Sequence, residues 1–68
     1  MTYEDRVYLL LHRRRGRWTD GLVIAKTGGV YGWRTAVSRA RRKYRVTIEN
    51  RLRKVGKRTV SEYRLVAA

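Results

Sequence analysis

The chain has 68 residues, with 18 Lys or Arg against five Asp or Glu and a formal net charge of +13. A chain this short has room for one small core and no second domain, and without cysteine it has no disulfide to staple that core. His12 stands alone among scattered acids, so neither a metal site nor a cofactor is expected.

No apolar run approaches the ~18 residues needed to cross a bilayer, and no leader-like apolar segment opens the chain. The expectation is therefore a cytoplasmic protein with no membrane partner. Charge is distributed unevenly. Between Trp33 and Arg58 lie eleven Lys or Arg and one acid, Glu49, so that segment carries +10 of the total. Such density repels itself and opposes folding unless a polyanion offsets it. Nucleic acid does so, because Lys and Arg that neutralise phosphates release condensed counterions. Fourteen of the 18 basic residues are Arg, which suits a planar fork gripping phosphate or guanine and equally suits a GC-rich coding genome.

The first helical pattern spans about 3–15. Thr2 precedes it with Asp5 three residues on, a relative of the capping box. Tyr3, Val7, Leu10 and Leu11 recur at helical spacing. Gly16 ends the helix, and the run Arg13-Arg14-Arg15 complements the dipole of its last turn. Trp18 follows as an expected core anchor, and Thr19 or Asp20 reads as the next N-cap.

A short second helix, about 20–26, is expected to bury Leu22, Val23 and Ala25. Thr27-Gly28-Gly29 then reads as a tight turn between helices. A third helix, about 32–44, starts at Tyr31 or Gly32. Trp33, Val37, Ala40 and Tyr44 form one apolar stripe widened by Ala36, and Arg34, Thr35, Ser38, Arg39, Arg41 and Arg42 occupy the opposite face.

After Tyr44 the period changes from helical to two. Strands are expected over about 46–53 and 59–65, joined at Gly56 by a turn flanked by Arg53, Lys54, Lys57 and Arg58. Glu49 and Glu62 read as cross-strand partners of arginines rather than as acid–base groups. Tyr8 and His12 read as surface residues. No nucleophile–base set, paired carboxylates or phosphate-cradling glycine loop is found, so no enzyme is expected.

The fold class implied is α+β, three helices followed by a two-stranded hairpin. Trp18-Thr19-Asp20-Gly21-Leu22-Val23-Ile24-Ala25, the Thr27-Gly28-Gly29 turn and Gly32-Trp33-Arg34-Thr35-Ala36-Val37-Ser38-Arg39-Ala40-Arg41-Arg42 are followed by Val46-Thr47-Ile48-Glu49-Asn50-Arg51 and Ser61-Glu62-Tyr63-Arg64-Leu65. In that order they resemble the small free-standing winged helix-turn-helix proteins of bacteriophages and their actinobacterial hosts. The resemblance spans nearly the whole chain and lies in the order of weak motifs. It departs from the pattern in its double glycine and in the small alanines of the third helix.

The resemblance implies double-stranded DNA as partner, the third helix in the major groove, and the wing on the backbone or in the minor groove. It implies a transcriptional regulator or an excisionase-like recombination factor, acting in the cytoplasm or nucleoid of a bacterial host. The expected DNA-binding residues are Tyr31, Arg34, Thr35, Ser38, Arg39, Arg41, Arg42, Arg53, Lys54, Lys57 and Arg58. Tyr31 stands at the end of the helix where such proteins contact bases, and its alternative role is capping the fold. With no heptad seam, a folded monomer is expected, binding DNA as a monomer or with weak self-association or cooperative assembly on adjacent sites. The alternatives are an RNA- or ribosome-associated basic protein, and a phage adaptor for an acidic host protein. Concentration of the arginines on one narrow helix face favours DNA over RNA.

Overall fold

A computed structural model describes residues 2–29 and 31–66; Met1, Val30, Ala67 and Ala68 lie outside it. The elements in chain order are α1 (Tyr3–Arg13), β1 (Thr19–Asp20), α2 (Gly21–Gly28), α3 (Trp33–Tyr44), β2 (Thr47–Val55) and β3 (Arg58–Val66). The strands form an antiparallel sheet in the order β1-β3-β2. Three helices and a C-terminal hairpin in this three-stranded sheet make an α+β fold, consistent with a winged helix-turn-helix topology.

The capping box at Thr2 is complete: Thr2 Oγ1 accepts from the Asp5 amide and Asp5 accepts from the Thr2 amide, both at 3.3 Å. α1 ends at Arg13 rather than at residue 15, because Arg14 already leaves helical geometry and Gly16 turns through φ +81°. Asp20, not Thr19, caps α2 by accepting from the Leu22 amide at 2.8 Å. Thr19 turns inward and is buried. α2 runs on to Gly28, so the turn is carried by Gly29 (φ +95°) and not by the Thr27-Gly28-Gly29 triplet as a whole.

α3 begins at Trp33, with Gly32 as N-cap, and leaves Tyr31 outside the helix. The two hairpin strands are longer than expected and close more tightly, pairing from Thr47↔Val66 out to Val55↔Arg58 around Gly56 (φ +62°). β1, which the sequence reading did not anticipate, is too short to show a period. It pairs Thr19 with Tyr63 and Asp20 with Glu62.

The core gathers Val7, Leu11, Ile24, Ala36, Val37, Ala40, Ile48, Tyr63 and Leu65. Several burial expectations are overturned. α2 buries Ile24, while Leu22 is 63% exposed and Val23 is exposed too; a short helix turns only a narrow face inward, and Ile24 holds it. Leu10 packs at the edge of the core, and the fully buried positions of α1 are Val7 and Leu11.

Trp18 is not among the core residues; the guanidinium carbons of Arg51 and Arg64 lie 4.1 and 4.6 Å from the centre of its ring. Tyr44 leaves the apolar stripe for a polar cluster. Its ring stacks on Tyr8 at 3.8 Å, making Tyr8 half-buried rather than free surface, and its hydroxyl donates to Asp5. Lys43 donates to the same carboxylate oxygen at 2.6 Å. These two bonds, with that from Thr2, hold the Asp5 carboxyl well below its ordinary range, and Asp5 in turn raises Lys43 and Tyr44. The cluster joins α1 to the C-terminal end of α3.

Candidate nucleic-acid interface

α3 is fixed at both ends, which decides what its exposed side can present. At its start, the Trp33 ring stands edge-on to Tyr63 at 5.6 Å. Gly21 is what lets Trp33 in: a Cβ there would lie 3.0 Å from the Trp33 ring and 3.1 Å from the Ser61 carbonyl. At its end, Arg41 donates from Nε (3.1 Å) and Nη2 (2.7 Å) to the carbonyl oxygen of Ile48, binding the helix to the root of the wing. Arg45 closes the helix in the left-handed region at φ 52°, a conformation that favours glycine.

The expected site residues divide into groups. On the wing flank of α3, Arg34 is exposed and lines a groove with Arg58, Thr59, Val60 and Ser61. Ser38, one turn on, is half-buried. Arg41 shares this flank, with two of its nitrogens engaged by Ile48. Thr35 and Arg42 are exposed at the centre of the outward face. Arg39 leans the other way, into a cleft with Thr2, Tyr3, Glu4 and Arg6 at the start of α1. Tyr31, just before the helix, is fully exposed.

All four wing cations, Arg53, Lys54, Lys57 and Arg58, are exposed. Arg53 stands 3.4 Å from Glu62, which also takes Arg51 at 3.0 Å. With Arg64 on Glu49 at 2.6 Å, these are the cross-strand acid–arginine pairs expected from the alternation. Among the described residues, Lys54, Lys57 and Arg58 enter no ion pair.

Between α3 and the wing runs an open groove of about 350 Å³. Trp33, Leu22 and Val60 supply apolar wall, and Arg34 and Arg58 stand on its two sides. The groove is not legible in the sequence, where the pattern places Leu22 in the core. The signal for it was Gly21, a glycine directly after an N-cap with no turn to make. The arrangement can grip an anion from two sides over an apolar floor. No group of three His, Cys, Asp or Glu able to hold a metal occurs among the described residues, and none of their helices is long and apolar enough to cross a membrane. Comparison with family models, curated proteins and solved structures returns no match to the chain.

Proposed function

We propose that this chain binds double-stranded DNA, with α3 against the major groove and the basic wing on the backbone or in the minor groove. One observation carries the reading. The acids of the hairpin are taken up by Arg51, Arg53 and Arg64, while Arg34 and Arg42 on α3 and Lys54, Lys57 and Arg58 on the wing enter no ion pair among the described residues. Arg34 and Arg58 flank an open groove, and a duplex backbone lying along α3 and the wing would neutralise the set. Winged helix-turn-helix proteins of the phage and actinobacterial type combine such a helix and wing. On that likeness the role is regulation of transcription or an excisionase-like part in recombination, within a bacterial cytoplasm.

Arg34 and Ser38, one turn apart toward the wing, are the base-reading candidates, and Lys57 at the tip is a backbone contact. An Arg bidentate to guanine contributes ~1–3 kcal/mol of discrimination. With a duplex selected from a random pool, Arg34→Ala relaxes preference at particular base pairs, whereas Lys57→Ala weakens selected and scrambled duplexes alike. If ~5–7 phosphates are contacted, log K falls against log[salt] with a slope of about −4.5 to −6. A slope shallower than about −2 removes the backbone contact, and uniform losses in both mutants remove base reading from α3.

A further inference from the structure

The wing and α3 do not account for all the unpaired charge. Arg13, which ends α1, and Arg14, Arg15 and Arg17 in the elbow after it are all exposed, and none enters an ion pair among the described residues. The α1 dipole accounts for one or two cations in its last turn; Arg15 and Arg17 lie beyond the helix.

Nor is the elbow a loose loop. The amide of Arg14 donates to the Leu10 carbonyl, that of Arg15 to His12, that of Gly16 to Leu65 at 3.1 Å, and that of Arg17 to Arg14 at 2.8 Å. Trp18, against Arg51 and Arg64, anchors its far end. Four guanidinium groups therefore project from a fixed backbone.

Its place in the sheet separates the elbow from the α3–wing surface. Gly16 bonds to Leu65 and Thr19 pairs with Tyr63, so the elbow continues along the β1 flank of β3. Arg41 ties α3 to Ile48, which pairs with Leu65 from the β2 flank. The C-terminal end of α3 and the elbow thus attach at opposite edges of the sheet. Along β3, the seven steps from Arg58 at the tip to Leu65 at the elbow span about 23 Å, in a molecule whose longest extent is 35 Å. Between these ends Glu62 and Glu49 offset much of the charge of Arg51, Arg53 and Arg64.

We infer that the elbow is a second phosphate-binding surface, which takes the backbone of a second duplex segment while α3 and the wing hold the first. The protein is then a bridge between two stretches of DNA. The inference rests on the DNA-binding reading above. A second copy of the chain does not fit the elbow, since it would bring another +13 to an uncompensated cationic surface.

The test uses the full chain, a biotinylated duplex on beads and a fluorescent duplex of the same sequence, with single-duplex affinity measured separately by anisotropy. The wild type captures the fluorescent duplex onto the beads. Arg15→Ser/Arg17→Ser lowers capture at least about fivefold while single-duplex affinity changes about twofold or less. The charge-matched Arg6→Ser/Lys26→Ser keeps capture near wild type, and thermal melts check that both variants fold. Undiminished capture by the elbow variant overturns the bridge, as does an equal loss in the control or a single-duplex affinity that falls as steeply as capture. Single-duplex binding with no wild-type capture overturns the bridge alone, whereas failure to bind any duplex overturns the reading beneath it as well.

Discussion

At its root the β2–β3 hairpin buries Ile48, Tyr63 and Leu65 against the helices, whereas every residue from Glu49 to Thr59 is exposed. One continuous ladder connects the two regions, yet they depend on different forces. The root is held by removal of apolar surface from water. The tip is held by cross-strand hydrogen bonds, a tight glycine turn and ion pairs that contribute little individually. Like charge is tolerable in the second region because the core does not depend on it. The surface proposed to meet DNA is thus largely separable from the residues that keep the chain folded.

The largest effect that could break this contrast is a truncation in the core. Leu11 is fully buried, and Leu→Ala at such a site costs ~2–5 kcal/mol, comparable to the whole ~3–5 kcal/mol a core this small supplies. Leu11→Ala therefore leaves the free protein largely unfolded by circular dichroism, with partial recovery when duplex DNA is added. Leu52→Ala, at 71% exposure on the wing, changes stability by ~0.5 kcal/mol or less. Comparable losses in both would mean that the wing is part of the core.

Gly21 sits at the boundary between the two regions. A methyl there meets the Trp33 ring at 3.0 Å and the Ser61 carbonyl at 3.1 Å. The ring can swing, but the carbonyl belongs to β3. Gly21→Ala is expected to cost ~1–3 kcal/mol as overpacking and to displace the first turn of α3, where Arg34 is carried. Urea titration reads the first effect and loss of base preference the second. A fully stable variant with unchanged preference would show that Trp33 does not set the position of α3.

How much of this was legible depended on the length of the pattern. The third helix and the hairpin were readable, because the stripe Trp33–Val37–Ala40 and the later alternation each run over several periods. The glycine at position 56 also located the turn. The two-residue β1 was not readable, since two residues carry no period and only pairing with β3 makes them a strand. In α2, eight residues with four apolar in a row leave the inward face undetermined, so the pattern points to Leu22 and Val23 where the structure buries Ile24. In the candidate site, exposure of the arginines was legible from the face they share. The engagement of Arg41 by the Ile48 carbonyl was not, because it depends on where β2 returns after the αL residue.

Trp18 tests the same limit with a smaller effect. An isolated tryptophan after a helix reads as a core anchor, yet here it lies against two arginines on the sheet. Cation–π contacts at exposed sites contribute ~0.5–1 kcal/mol each. Trp18→Ala should therefore cost ~1–2 kcal/mol and leave a folded protein with a lowered melting temperature. Complete unfolding would return Trp18 to the core.

The smallest effect is expected at Arg45, and its sign is opposite. It is the non-glycine residue with positive φ (52°) among the described residues, and it ends α3 where a glycine would close the helix without a Cβ penalty. Arg45→Gly relieves that strain but adds freedom to the unfolded chain. The balance is a gain of ~0.5–1 kcal/mol, or a rise of ~3–6 °C in melting temperature for a domain of this size. Removing a cation from so basic a surface also stabilises, so the comparison that isolates the backbone is with Arg45→Ala. Alanine loses the same charge and keeps the Cβ. If both variants melt together above wild type, the gain comes from relieved repulsion; if only glycine rises, the strain at the end of α3 is real. In that case α3 is held to the root of the wing against a conformational penalty, by the Val46 amide on the Arg41 carbonyl and by the two bonds from Arg41 to Ile48.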